Sequence, residues 1–252
     1  MAIIQLQDVT KSYGAFDALR GVNLEIDQGE VLCVLGDNGA GKSTLIKILS
    51  GLHQPTSGQM LLGGTPTTFS SPRDAINHGI ATVYQNLAIV DSLSVWRNFF
   101  LGNEISGMLG TLKQDEMRAR CDDALREMGI NIPDVDVEAG NLSGGQRQVL
   151  AIARAIHFGA RVVILDEPTA ALGVKQSGVV LRFVAAARDR GVAVVLVTHN
   201  PHHAYLVGDR FTILKLGRQE INAERADITL EELTAQMAGG EELAALSHEL
   251  ER

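Results

Sequence analysis

Gly36-Asp37-Asn38-Gly39-Ala40-Gly41-Lys42-Ser43-Thr44 follows the apolar run Val31 to Leu35 and leads into a helical pattern from Ser43 to Leu49. A strand, then Gly-x-x-x-x-Gly-Lys-Ser, then a helix is the setting in which backbone N–H groups turn inward around phosphate oxygens. The helix N-terminus there favours anions. Lys42 is placed to neutralise the outer phosphates of a nucleotide and Ser43 to ligate Mg2+, while Gly36 to Gly41 and Thr44 complete the cradle. A second segment, Val162-Val163-Ile164-Leu165-Asp166-Glu167, reads as a buried strand ending in adjacent carboxylates. Side chains alternate along a strand, so the two acids can serve different tasks: Asp166 beside the metal, Glu167 polarising an attacking water.

Three further positions carry weight in combination with these. His199 follows the apolar strand Val192 to Val197 and is expected at the same sheet edge as Asp166. Gln85 follows the strand Ile80 to Val83, where its amide can ligate Mg2+ or orient water; a plain loop-end polar residue is the alternative. Leu142-Ser143-Gly144-Gly145-Gln146 puts a serine at a helix N-cap, followed by two glycines that expose backbone N–H groups. Glycine opposes helix formation, so two in succession call for a close approach, and a phosphate would supply one. Tyr13 lies between the first two strands, where its ring can stack on a purine.

The surrounding pattern must bring these segments together. Ile4 to Val9, Val22 to Ile26 and Gln59 to Leu62 read as further strands, with a short helix after Pro72. From Leu93 to about Phe158 the pattern turns helical, over Val95 to Leu101, Gln114 to Met128 and a helix beginning near Ser143. Strand–helix–strand order resumes with Val162 to Leu165, Val174 to Asp189 and Val192 to Val197, which implies a parallel sheet. Phe211 to Leu216 and Gln219 to Asn222 resemble a hairpin, and helical stretches over Leu230 to Met237 and Leu243 to Leu250 make an acidic tail. The 252 residues are 45% hydrophobic, enough to bury a full core. A net charge of −8 argues against a nucleic-acid platform. The two cysteines, Cys33 and Cys121, suit packing in a reducing compartment, and no segment has the signature of a signal peptide or the length of a membrane span.

Taken in order, these motifs resemble the ATP-binding subunit of an ABC transporter, from about Ile4 to Gly217. The resemblance implies an α/β fold: a P-loop NTPase core with a mainly parallel central sheet, an N-terminal antiparallel β-subdomain and a helical subdomain at about 90–160. The ATPase domain would span 1–238, with an acidic tail at 239–252. It assigns Tyr13 to adenine stacking, Gly36 to Thr44 to Walker A, Gln85 to the Q-loop, Leu142 to Gln146 to the signature, Val162 to Glu167 to Walker B and His199 to the switch histidine. Two copies would then enclose two ATP molecules with Mg2+, each held by Walker A of one copy and the signature of the other. The implied partners are a second copy of the chain, two transmembrane permease subunits and an external sugar-binding protein, with the chain peripheral on the cytoplasmic face of the inner membrane.

Leu93 to Glu104 and Thr169 to Val174 are similar to segments of monosaccharide importers of the ribose, xylose and fructose types, which makes sugar import the expected cargo. The same engine driving an amino acid, metal or lipid is the alternative, and a soluble relative acting on ribosomes or DNA stands further off. One departure is Gly173, where the family's loop after Walker B usually carries aspartate.

Overall fold

The computed structural model describes residues 2–108 and 110–237. The chain opens with the hairpin β1 (Ala2–Tyr13) and β2 (Phe16–Asp27), then runs through β3 (Val31–Leu35) into helix α1 (Lys42–Leu49). After β4 (Ser57–Leu62), the two-residue β5 (Thr65–Pro66), α2 (Pro72–Asn77) and β6 (Ile80–Val83) come three helices: α3 (Val95–Phe100), α4 (Gln114–Glu127) and α5 (Gly144–His157). Alternation resumes with β7 (Val162–Asp166), α6 (Val174–Asp189), β8 (Ala193–Val197) and α7 (Pro201–Val207). The hairpin β9 (Arg210–Lys215) and β10 (Arg218–Glu224) and helix α8 (Leu230–Met237) close the described chain.

Two sheets result. The first is antiparallel, in the order β2-β1-β4-β5; the second runs β10-β9-β3-β8-β7-β6, parallel except for its β10 edge. This is the expected α/β architecture of a mainly parallel sheet, an antiparallel N-terminal sheet and a helical segment between β6 and β7. Because strand side chains alternate, β3, β7 and β8 feed two cores. Cys33, Leu35, Val163, Leu165, Val194 and Leu196 face the helices α3 to α6. Leu32, Val34, Ile164, Val195 and Val197 face α1 and the first sheet, where Leu45, Ile46 and Leu49 pack against Ile4, Leu24 and Ile26. Each such buried aliphatic side chain contributes about 1.5–3 kcal/mol.

The expected bounds of β3 and α6 coincide with the observed ones. Helix α6 buries Ser177, Val180, Leu181, Val184 and Ala187, the one-sided spacing that made it legible. Helix α7 and the short β5 were not anticipated. A start signal for α7 was present in Asn200-Pro201: Asn200 caps the helix by accepting from the His203 N–H, with proline in the first turn. Of the acidic tail, Leu230–Met237 is helical; Leu243 to Leu250 and the proposed tail at 239–252 lie outside the described residues.

At the opposite end of β3 from the phosphate loop, Glu30 is 9% exposed and shares the Arg210 guanidinium (3.4 Å) with Asp27 (3.3 Å). Its Oε1 has no hydrogen-bond partner among the described residues. Burial, opposed by Arg210 and reinforced by Asp27, raises the carboxyl from 4.5 to about 7. The folded chain therefore binds more protons than the unfolded one between these values, and this residue's contribution to stability is lost as pH rises through the interval. Glu30→Gln is expected to stabilise the protein by about 1–3 kcal/mol at about pH 8 and to converge with wild type near about pH 4 to 5. Urea unfolding at both pH values checks this; a pH-independent difference would count against a buried, protonated Glu30.

Candidate functional site

All five residues of β3 are buried, and the strand delivers the chain to the glycine loop at the carboxyl edge of the parallel sheet. Two glycines there are sterically required. Gly36 has φ 144, and a Cβ on it would lie 2.3 Å from the Leu214 carbonyl oxygen. Gly41, the N-cap of α1, has φ 109, and a Cβ would come within 2.8 Å of the Ala18 carbonyl oxygen. The loop is thus pressed between β9 and β2, and the Gly217 N–H donates to the Ala40 carbonyl at 3.0 Å. Asp37, Asn38 and Gly39 at its crest are exposed, as is Ser43 in the first turn of α1, with Thr44 half-buried beside it.

Lys42 begins α1 and is 8% exposed. Its Nζ donates to the Gly36 carbonyl (2.6 Å) and the Asp37 carbonyl (2.9 Å), so the ammonium is held against the loop. Burial lowers its pKa, while Glu167, Asp37 and Asp166 pull the other way. One cation is thereby set among several carboxylates beside a helix N-terminus.

β8 lies between β3 and β7 and carries the acids and the histidine to the same edge. The Thr198 N–H donates to the Val34 carbonyl (3.1 Å), and the Glu167 N–H to the Val197 carbonyl (2.9 Å). Asp166 is the last residue of β7, whereas Glu167 already lies beyond it with φ 50. Glu167 therefore stands on a left-handed backbone turn past the last paired residue of β7, so strand alternation does not set its direction. Glu167 Oε1 lies 2.9 Å from His199 Nδ1, and the Thr198 hydroxyl donates to Oε2 at 3.4 Å. Glu167 is 16% exposed and His199 62%. Burial, then the neighbouring Glu167, raises the pKa of Asp166; Lys42 offsets part of the effect. Gln85, exposed, lies just past the end of β6, whose Val83 pairs with Leu165 of β7, so it shares this edge.

The segment Ser143–Gln146 stands elsewhere. Ser143 accepts from the Gln146 N–H (3.2 Å), and the Gln146 side chain accepts from the Ser143 N–H (2.9 Å), a reciprocal capping box at the start of α5. The two glycines have a reason within the chain: a Cβ on Gly144 would come 2.7 Å from a Leu172 methyl, and one on Gly145 3.0 Å from the Gln176 carbonyl oxygen. α6 and the loop before it thus make one close approach to these glycines. No hydrogen bond joins this segment to Gly36–Thr44 among the described residues. Gly173 is the N-cap of α6, with no capping side chain and open space around the position of a Cβ, so nothing excludes the family's aspartate sterically.

Tyr13 closes β1 at 42% exposure, with its ring edge-on to His53 (centroids 5.8 Å apart) and Lys11 Nζ 5.4 Å from its centroid. Asn98, not singled out from the sequence, is 1% exposed, and its amide bonds Val90, Leu93 and Ser94, which fixes the loop between Gln85 and α3. Thr198, Asn200 and His203, which carry no sequence motif of their own, also surround the Glu167 turn, together with Thr169. Beside Gln85 is a groove of about 250 Å3 lined by Ala81, Tyr84, Leu87, Arg154 and Phe158, among others.

The family model described as ABC transporter matches residues 19–170. The xylose/arabinose import ATP-binding protein of Sulfolobus acidocaldarius is 42% identical over 235 residues, 93% of each chain. The fructose import ATP-binding protein of Rhizobium meliloti is 43% identical over 247 residues, 95% of each chain. Among solved structures, a dimeric ATP-binding cassette, MJ0796, in a post-hydrolysis state with ADP and Pi is similar with a TM-score of 0.73 and 28% identity, over 88% of this chain and 98% of that one.

Proposed function

This chain belongs to the ABC transporter family, and on that premise we propose that it is the ATP-hydrolysing subunit of a monosaccharide importer. The observation that carries hydrolysis is the Glu167 carboxylate, held at 2.9 Å by His199 on the edge that also bears Lys42 and Ser43. Gly36 to Thr44 cradle the phosphates through backbone N–H groups, and Lys42 turns from the Gly36 and Asp37 carbonyls to the more strongly negative β- and γ-phosphates. Glu167 accepts hydrogen bonds from the attacking water and directs it at the γ-phosphorus; His199 fixes the carboxylate's orientation. Tyr13 stacks on the adenine.

Mg2+ suits the residues present. Asp166, Glu167 and Asp37 set several negative charges around the single ammonium of Lys42; the raised pKa of Asp166 comes first from burial and then from Glu167. Among the described residues no group of three or more His, Cys, Asp or Glu forms an all-protein cage, in keeping with an ion bound largely through substrate phosphates. Ser43 and Gln85 would ligate it, with Asp166 behind them. When bound, it neutralises charge on the β- and γ-phosphate oxygens.

Ser143 to Gln146 remain apart from Gly36–Thr44 within one chain, so a second copy supplies them to the γ-phosphate, and the working unit is a homodimer with two ATP molecules. No described helix is long and apolar enough to cross a membrane. As the import role of the relatives suggests, two permease subunits carry the cargo path, with the chain docked on the cytoplasmic face of the inner membrane through the groove beside Gln85 and an external binding protein delivering the sugar. Whole-length similarity to xylose/arabinose and fructose import proteins supports the cargo class. The test is uptake into proteoliposomes holding this chain with the permease encoded beside it. ATP-dependent uptake of a labelled pentose or hexose is expected; uptake of an amino acid or metal ion in its place would overturn the sugar assignment.

A further inference from the structure

The turn at Glu167 is closed by a ring of hydrogen bonds. The Thr198 hydroxyl donates to Glu167 Oε2 (3.4 Å) and accepts from the Asn200 N–H (3.1 Å). The Asn200 side-chain oxygen accepts from the His203 N–H (3.0 Å), and the His203 Nδ1 meets the Thr169 hydroxyl at 2.9 Å. Thr169 lies two residues beyond Glu167, and the Ala170 N–H returns to the Glu167 carbonyl at 3.1 Å. The ring thus starts at the carboxylate, passes through the first turn of α7 and comes back to the backbone that bears it.

Glu167 needs such support. A non-glycine residue at φ 50 costs about 1–3 kcal/mol and persists only where its surroundings over-determine it. On its N-terminal side the Glu167 N–H is fixed to Val197 of β8. Pro168, the next residue, has no N–H to donate, so the first side-chain anchor on the C-terminal side is Thr169, 6% exposed. We propose that His203 is a positioning residue for hydrolysis, holding through Thr169 the turn from which the Glu167 carboxylate is aimed at the attacking water. His203 carries no motif and is four residues past His199, so it faces the Glu167 segment only because Asn200 caps α7 and starts the helix at Pro201. Burial, then His202 and His199, lowers its pKa, which favours the neutral ring. The inference rests on the reading of Glu167 as the residue that directs water.

A purely structural bond would change stability and leave turnover per folded molecule alone. ATPase rates are therefore measured on purified full-length Thr169→Val, His203→Leu, His203→Asn and the Thr169→Val/His203→Leu double variant, below each variant's melting temperature. Asn places a polar atom where Nδ1 stands. Thr169→Val and His203→Leu are each expected to lower kcat on the order of tenfold with KM for ATP within about twofold, because a small misplacement of a reacting group is felt in the transition state. The double variant should fall no further than either single one, and His203→Asn should keep most of the wild-type kcat. Unchanged kcat in Thr169→Val, losses that multiply in the double variant, or His203→Asn falling as far as His203→Leu would each overturn the proposal. Wild-type enzyme assayed alongside separates the two readings. No turnover at all overturns the proposed function and this inference with it, whereas normal turnover with unmoved variants overturns only the inference.

Discussion

Glu167→Gln will bind ATP as tightly as wild type and lose about two to four orders of magnitude in turnover. Glutamine keeps the shape of the side chain and can still meet His199 and the Thr198 hydroxyl, which lie 2.9 and 3.4 Å from the carboxylate oxygens. What it loses is the negative charge that, in the proposed function, polarises water. The phosphate loop, anchored by Lys42, is untouched. Removing the charge also relieves Asp166, whose pKa Glu167 helps to raise, so Asp166 becomes more readily ionised. With binding intact and hydrolysis stopped, ATP stays bridged between Gly36–Thr44 of one copy and Ser143–Gln146 of the other, and a dimer accumulates. Size-exclusion chromatography in Mg-ATP reads this directly. A variant that binds ATP and elutes only as a monomer would sink the two-copy site.

Lys42→Ala is expected to act on binding before chemistry. The Lys42 ammonium is 8% exposed and already oriented by two carbonyls, so little ordering is needed when it meets phosphate. A hydrogen bond to a charged group contributes about 1.5–3 kcal/mol, so ATP affinity should fall at least about tenfold, and ATP should no longer raise the melting temperature appreciably. Calorimetric titration with ATP measures the first effect and a thermal melt the second. Unchanged affinity would remove Lys42 from the phosphate site. The two variants differ in kind: one should hold ATP without consuming it, and the other should scarcely hold it.

Much of the fold was legible because its signals are local. β3, β7 and β8 are apolar runs whose length and branched residues mark buried strands, and α6 shows its core face at helical spacing. The glycine loop announces itself through residues that only a positive φ or a close backbone approach explains, as Gly36 and Gly41 show. The glycines after Ser143 pointed to a phosphate, and within the chain a side chain there would also meet a Leu172 methyl and the Gln176 carbonyl. Other features were less legible, for a physical reason. The pair Asp166-Glu167 suggested strand alternation, but the chain turns to φ 50 at Glu167. α7 was not anticipated, although Asn200-Pro201 marked its start; it buries only Ala204 and Val207, too few apolar positions to show a helical face.

The sequence by itself determined the chemistry available: a phosphate loop with Lys42 and Ser43, two acids ending a buried strand, a histidine ending another, and a capped helix start after Leu142. Each is a short-range arrangement of backbone and side chains that a few neighbours in the chain can specify. Only the tertiary structure decided how those groups meet. The order β3-β8-β7 sets His199 beside Glu167 across 32 positions of sequence, and α7 then brings His203 to Thr169 across 34. Packing of α5 on α6 gives Gly144 and Gly145 their contacts. Which strands become neighbours depends on burying two faces of one sheet at once, and that is a property of the whole core.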